Sequence, residues 1–328
     1  MLASSGVDEK AEGRRAPVPR AVRRRFYLYL LPLIGSPFLL LMAALIILPS
    51  KWFALHSQNA YLVNVGYGAK LYGENCQVLI YGDSSAMVGI DPSLIRARTG
   101  LSTCNIAELQ PMTMLNGTML LDIYLEHNTR PRFLVFFFAP EDLDPQSQRT
   151  NGPFEAIVWR MRQPDKLKSL IYLTLHYPSE LMGWVEQGLR FTLINALSKP
   201  ASTEIQHLRE HTHGQLPMSA RSLSVCDSLL RNAPPDKAWV AGLRSKYGLG
   251  GTTVLVDATP LATCDPSLSF FQRVLPGVID NRVEALPVSV YNADGRLHVD
   301  AEGSAIFSKM VADQIAKHLD PASLTGDR

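Results

Sequence analysis

The sequence predicts an α/β fold in which helices cover both faces of a parallel sheet of five strands. Three observations lead to this prediction. Short apolar runs that end in turn residues alternate with helix-like segments, a helix-rich stretch interrupts this alternation, and one long apolar segment precedes all of it. Alternating strands and helices are typical of parallel sheets joined by right-handed crossovers.

The long apolar segment, Phe26 to Pro49, contains 24 residues without a charged side chain. As a helix with a rise of about 1.5 Å per residue it would reach roughly 36 Å, enough to cross a ~30 Å hydrocarbon core. It is longer than the apolar part of a secretory signal peptide, and no A-x-A cleavage sequence follows it. We therefore expect a retained transmembrane helix, in which Pro32 and Pro37 are tolerated.

The charge around this segment predicts its orientation. Residues 1–25 carry a net charge of +4, whereas the whole chain carries +2, so residues 26–328 sum to −2. Only Lys51 lies directly beyond the apolar segment, and the positive-inside rule then places the N-terminus in the cytoplasm. This predicts a bacterial inner-membrane protein with a periplasmic C-terminal domain. The folded part lacks the basic excess that nucleic-acid binding requires.

The first half of the sheet is predicted from short apolar runs. Residues 78–81 form a run that ends in Gly82-Asp83-Ser84-Ser85, which indicates a buried strand meeting a turn. Asp91 is a typical N-cap, and Pro92 suits the first position of a helix over 92–99. A strand over 102–107, a helix over 112–127 and a strand over 133–138 follow. This last run is apolar on both faces, as in a central parallel strand.

The strand pattern is absent between residues 145 and 249. Proline-separated, helix-like segments fill this stretch, at 153–163, 165–175, 178–198 and 219–232. Afterwards we predict strands at 252–258 and 285–290, a helix at 268–274 between them, and a last amphipathic helix over 301–319. Because the pattern resumes, we predict one α/β domain, residues 76–144 and 250–320, with a helical insertion. Residues 50–75 connect it to the apolar segment, and 321–328 form a tail.

The four cysteines, Cys76, Cys104, Cys226 and Cys264, show no spacing typical of zinc ligands. An even number in an exported domain permits two disulfides. Cys76 precedes one predicted strand and Cys104 lies in the next, so these two can be neighbours and Cys226 with Cys264 is the remainder, although the sequence alone does not fix the pairing. Unpaired, buried thiols remain the alternative.

Two polar segments at the ends of predicted strands can carry chemistry. Ser84 follows the first strand and precedes a helix, at the carboxyl edge of the sheet where such folds bind ligands. The N-terminus of that helix would stabilise developing negative charge. A serine needs an adjacent base to become a nucleophile. Near the C-terminus, Asp294 and His298 lie in the loop between the fifth strand and the last helix.

Together the two segments resemble the SGNH (GDSL) esterase and acyltransferase superfamily, which has Gly-Asp-Ser after its first strand and Asp-x-x-His before its last helix. The resemblance covers about residues 76–144 and 250–320. It implies Ser84 as the nucleophile, His298 as the general base and Asp294 as the carboxylate that orients the imidazole. The Ser84 N–H and the side chain of Asn105 would donate to the oxyanion.

Two features depart from the family pattern. Asp294 lies four residues before His298, one more than is usual, so Asp300 is an alternative carboxylate. The family's Gly-x-Asn-Asp after the third strand is replaced by Ala139-Pro140-Glu141-Asp142.

Simpler structural interpretations exist for the same side chains. Ser84 alone would suit a turn with Asp83 as the N-cap of the next helix, and His298 would suit a solvated loop. No carboxylate or cysteine completes a tetrahedral site with the histidines at 207, 211 and 213, so no metal and no cofactor is expected.

The chain is similar to the membrane-anchored branch of the SGNH superfamily, whose members work beside multi-span membrane O-acyltransferases on envelope polymers. The resemblance implies a serine esterase or O-acyltransferase that acts on the acyl esters of an envelope or exported polysaccharide. A multi-span O-acyltransferase or a polysaccharide synthase is the expected membrane partner. The alternative is a non-catalytic, SGNH-like scaffolding subunit of a polysaccharide-modification or secretion complex.

Overall fold

A computed structural model describes residues 20–47, 71–108, 119–144, 207–218, 230–292 and 297–319, together with the single positions 68, 167, 168, 171, 174, 175, 178 and 182. The chain divides into two compact units, Met1–Ile46 and Ile47–Arg328. The described part of the first unit lies in helix α1, Arg20–Ile47, which includes Pro32 and Pro37. Among the residues described, no helix combines the length and apolarity needed to cross a membrane.

The second unit is an α/β domain. Its strands are β1 (Val78–Gly82), β2 (Thr103–Asn105), β3 (Phe133–Phe138), β4 (Thr253–Ala258), β5 (Leu261–Ala262) and β6 (Ala285–Leu286). Its helices are α2 (Ser84–Gly89), α3 (Pro92–Thr99), α4 (Met119–His127), α5 (Lys237–Tyr247), α6 (Leu268–Val274) and α7 (Ala301–His318). Short 3-10 turns follow β3 at Pro140–Leu143 and β6 at Val288–Val290.

Four of the strands form one parallel sheet in the order β2-β1-β3-β4, which confirms the predicted α/β class. The central strands β1 and β3 are buried along their whole length because helices cover both faces. Successive side chains of β3 point to opposite faces of the sheet. Phe137 contacts Phe307 of α7 on one face, whereas Phe136 contacts Tyr247 of α5 on the other. This alternation explains why the third run is apolar at every position.

The predicted fifth strand, 285–290, is wrong in extent and partner. Only β6 is extended, and it pairs with β5 just beyond β4 instead of joining the four-stranded sheet. Pro287 then removes a backbone donor, and the chain continues in a 3-10 turn. Side chains, and not a fifth strand, cover the free edge of β4. Asp280 and Asn281 accept hydrogen bonds from the backbone N–H groups of Val256 and Ala258.

The predicted insertion, 145–249, contains a helix that belongs to the α/β layers. Helix α5 begins after the N-cap Asp236 and places Trp239 and Tyr247 against β3, so it covers the sheet between β3 and β4. The helical segments predicted at 153–163, 165–175, 178–198 and 219–232 lie outside the described residues, apart from single positions and residues 230–232. Those single positions, from 167 to 182, are helical.

A disulfide joins Cys76 and Cys104, the two cysteines that the sequence placed at neighbouring strands. It links the residues just before β1 to the neighbouring strand β2, where Leu79 pairs with Cys104. Cys264 is also disulfide-bonded, and Cys226, the remaining cysteine of the chain, lies outside the described residues.

Candidate active site

The turn between β1 and α2 presents Ser84. Gly82 ends β1 so close to β3 that a Cβ atom there would lie 1.8 Å from the carbonyl oxygen of Phe137. Asp83 is the N-cap of α2, as predicted, and its Oδ1 accepts from Ser85 N–H at 2.8 Å. Of residues 81–90, Ser84 alone is not fully buried. The turn therefore leaves one side chain accessible, at the carboxyl edge of the sheet.

The histidine segment is held by main-chain hydrogen bonds on both sides of His298. Tyr291 and Val299 form an antiparallel bridge, and Asn292 N–H donates to the His298 carbonyl at 2.7 Å. Asp300 then caps α7 by accepting from Gly303 N–H at 3.0 Å. The imidazole thus lies at the point where the loop enters the last helix.

Close packing between α2 and α7 brings these two segments together. A Cβ atom at Gly89 would lie 2.6 Å from the Phe307 ring and 3.4 Å from the side chain of Val299, which directly precedes α7. This position needs glycine because no space remains for a methyl group. Phe307 and Val299 are themselves fully buried, so the two elements have little freedom to separate.

A segment that the sequence placed in the insertion adds hydrogen bonds across the same contact. The buried side chain of Gln215 donates from Nε2 to the Val88 carbonyl of α2 at 3.0 Å and to Ser304 Oγ of α7 at 2.8 Å. Leu216 N–H donates to the Met87 carbonyl at 2.9 Å. Residues 215–216 therefore join the helix after the serine to the helix after the histidine.

Nε2 of His298 lies 2.9 Å from Oγ of Ser84. Both side chains are partly exposed, so a substrate can reach them. A neutral imidazole with Nε2 unprotonated accepts this hydrogen bond and can take the hydroxyl proton when Ser84 attacks an electrophile. The distance is within the range expected for a nucleophile and its general base.

The oxyanion role predicted for Asn105 does not fit its contacts. Nδ2 of Asn105 donates to the carbonyls of Ala86 and Ile90 at 2.8 and 3.0 Å, and its side chain is fully buried. Both amide hydrogens are therefore used to hold α2 against β2. Ser84 N–H, in contrast, is the first N–H of α2, and no acceptor for it lies among the described residues.

The carboxylate predicted to orient His298, Asp294, lies outside the described residues. The alternative, Asp300, uses Oδ1 to cap α7. In the segment after β3, Ala139 N–H donates to Asp83 Oδ2 at 2.5 Å. Glu141, two residues on, accepts from Arg231 N–H at 2.8 Å, and burial raises the pKa of its carboxyl.

Two functional candidates escaped the sequence-based prediction. Thr259, the first residue after β4, has its Oγ1 2.6 Å from Ser85 Oγ. Its signal in the sequence was a polar residue directly after a buried strand, the same signal that marked Ser84. Gln215 gave no local signal, because its role depends on α2 and α7, which are distant in sequence.

The histidines at 207, 211 and 213 take part in local structure. His207 lies beside Glu210 at 3.5 Å on the surface, and the His213 carbonyl accepts from Asn105 N–H at 2.9 Å. Across the described ranges, no group of three or more His, Cys, Asp or Glu side chains is arranged to hold a metal ion. The chain matches no protein-family model, no curated protein and no solved structure.

Proposed function

We propose that the chain is an SGNH-type serine esterase or O-acyltransferase that acts, outside the cytoplasm, on acyl esters of an envelope or exported polysaccharide. The observation that carries the proposal is the 2.9 Å contact between His298 Nε2 and Ser84 Oγ. This contact lies at the carboxyl edge of a parallel sheet, with the serine directly after β1 and the histidine directly before the last helix.

The proposed reaction has two half-reactions. Ser84 Oγ attacks the ester carbonyl while His298 Nε2 takes the hydroxyl proton, and the resulting oxyanion lies against Ser84 N–H at the start of α2. As the tetrahedral intermediate collapses, the imidazolium returns the proton to the leaving alkoxide, and an acyl-serine remains. A polysaccharide hydroxyl or a water molecule, deprotonated by His298, then attacks the acyl-serine. The imidazolium returns this proton to Ser84 Oγ as the bond from Oγ to the acyl carbon breaks, and the acylated polymer or the free acid leaves.

The three side chains have separate parts in this proposal. Ser84 forms the covalent bond, His298 moves the proton, and Asp294 would hold the imidazole tautomer and stabilise its cation. The contacts of Asp300 favour Asp294 over it for that role, since capping of α7 already occupies Asp300 Oδ1. No step requires a cofactor.

Two observations support a location outside the cytoplasm. The Cys76–Cys104 disulfide is typical of an oxidising compartment. The charge-free segment Phe26 to Pro49, after the basic N-terminal residues, supports an inner-membrane anchor with a cytoplasmic N-terminus. Such an anchor would hold the domain beside a multi-span O-acyltransferase or polysaccharide synthase that handles the same polymer.

Labelling of the full-length protein with a fluorophosphonate tests the proposal. The wild type should be labelled, with the adduct mapped to Ser84 by mass spectrometry, and Ser84→Ala should abolish both labelling and acylation of the envelope polymer. Ser93→Ala is the matched control, because Ser93 is exposed on α3 and should leave labelling unchanged. Full polymer acylation by Ser84→Ala would contradict catalysis and favour the non-catalytic scaffolding subunit.

A further inference from the structure

We infer that Thr259 is a positioning residue that orients the nucleophile turn through the hydroxyl of Ser85, and this inference rests on the proposed function. Ser84 and Ser85 are adjacent in sequence but differ in surroundings. Ser84 Oγ faces the histidine, whereas Ser85 is buried and bonded to Asp83 on one side and Thr259 on the other.

Asp83 is the centre of this buried network. Its Oδ1 accepts from Ser85 N–H at 2.8 Å and from Ser85 Oγ at 2.6 Å, and its Oδ2 accepts from Ala139 N–H at 2.5 Å. Three donors on one carboxyl group match an ionised carboxylate, which only accepts. The turn after β1 is therefore bonded to the residue that ends β3.

Thr259 joins the same network from β4. Its Oγ1 lies 2.6 Å from Ser85 Oγ and 3.1 Å from the Phe138 carbonyl, and the side chain is fully buried. The Phe138 carbonyl already accepts from Thr259 N–H at 2.8 Å. Because this carbonyl already has a donor, it does not need the Thr259 hydroxyl, whose contact with Ser85 is also the shorter of the two.

The single hydroxyl hydrogen of Ser85 determines the direction of the hydrogen bonds among Thr259, Ser85 and Asp83. Ser85 has one hydroxyl hydrogen, and the charged Asp83 carboxylate is the stronger acceptor for it. The 2.6 Å contact between Ser85 and Thr259 is then a hydrogen bond only if Thr259 donates. The direction is Thr259 to Ser85 to Asp83, and the donation from Thr259 polarises the Ser85 hydroxyl toward the carboxylate.

This network connects the ends of three neighbouring strands at the edge where Ser84 lies. Asp83 follows β1, Ala139 follows β3 and Thr259 follows β4. Their bonds fix the first residues of α2, and thereby the direction of Ser84 Oγ and of Ser84 N–H. Catalysis is sensitive to such placement, because a displacement of about 1 Å can cost roughly a hundredfold in rate.

Thr259→Val and Thr259→Ser in the full-length protein test this role. Valine keeps the shape of threonine without the hydroxyl, and serine keeps the hydroxyl. We expect Thr259→Val to lower the rate of fluorophosphonate labelling, and the kcat for hydrolysis of a small acyl ester, by roughly tenfold to a hundredfold. The KM for that ester should stay within about twofold of the wild-type value. Thr259→Ser should restore most of both rates. Thr252→Val is the matched control, because Thr252 donates to the Pro131 carbonyl at the opposite end of β4.

A double-mutant cycle on the labelling rate checks the connection to Ser85. If Thr259 acts through Ser85, Thr259→Val should have little further effect in a Ser85→Ala background. Equal labelling of Thr259→Val and Thr252→Val, with a labelled wild type, would overturn the positioning role and leave the proposed function standing. A folded wild type that is not labelled at all would overturn the proposed function, and this inference with it.

Discussion

The imidazole of His298 lies within hydrogen-bonding distance of the Ser84 hydroxyl, at 2.9 Å, although 214 residues separate the two in the chain. Helices α2 and α7 hold this pair in place. They meet where Gly89 of α2 admits the Phe307 ring of α7, and through the shared bonds of Gln215. The packing of these two helices therefore sets the distance between the serine and the histidine.

Removing the imidazole should stop the chemistry and leave the fold intact. We expect His298→Gln to lower the labelling rate by about 10²- to 10⁴-fold, the usual contribution of a general base. His318→Gln, at the exposed end of α7, is the control and should react like the wild type. Normal labelling of His298→Gln would rule out His298 as the base.

The two candidate carboxylates can be separated by matched substitutions. Asp294→Asn should lower kcat by roughly 10⁴-fold, because an amide in place of the carboxylate favours the wrong imidazole tautomer. Asp300→Asn should keep activity, since asparagine also caps helices and can accept from Gly303 N–H. Steady-state hydrolysis of a small acyl ester measures both, and the opposite ranking would assign the role to Asp300.

Gly89→Ala should damage the site more than the fold. The added methyl group would meet the Phe307 ring at 2.6 Å and push α2 away from α7. We expect a loss of about 1–3 kcal/mol in the free energy of unfolding and a larger relative loss of labelling. Gly242→Ala in α5 is the control, because nothing lies within 4 Å of its added methyl group. Equal labelling of the two variants would contradict the packing argument.

Asp257 should make stability depend on pH. The pKa of its carboxyl is raised to about 7, mainly by burial and to a smaller extent by nearby Asp280, against the lowering effect of the hydrogen bond from Gln314. The folded protein then binds a proton more tightly than the unfolded chain, so this stabilisation is full below pH ~4 and is lost as the pH rises through 7.

Asp257→Asn should remove that dependence. At pH 8 the variant should exceed the wild type by about 2–4 kcal/mol in the free energy of unfolding, from 1.36 kcal/mol per pKa unit, and at pH 4 the two should agree. Urea unfolding at both pH values measures this difference. Parallel pH dependences in the two proteins would contradict the effect of burial on this carboxyl.

The strands show how much of the fold could be predicted locally. The runs at 78–81, 133–138 and 252–258 correspond to β1, β3 and β4 within one residue at each end, because strands buried on both faces are apolar at most positions. The predicted fifth strand is wrong because the partner of a strand cannot be predicted from the strand's own residues. Asp280 and Asn281 already cover the edge of β4, and neither residue belongs to the predicted strand.

The sequence by itself determined the α/β class, the Asp83 and Asp91 caps and the candidate pair Ser84 and His298. The class depends on the alternation of strands and helices, the caps depend on nearest neighbours, and the pair depends on the resemblance of its two segments to the SGNH pattern. The tertiary structure alone decided that Asn105 holds α2, that Thr259 reaches Ser85 and that Gln215 joins α2 to α7. A buried polar side chain bonds whatever donor or acceptor the fold brings to it, and that partner is set by packing between elements far apart in the chain.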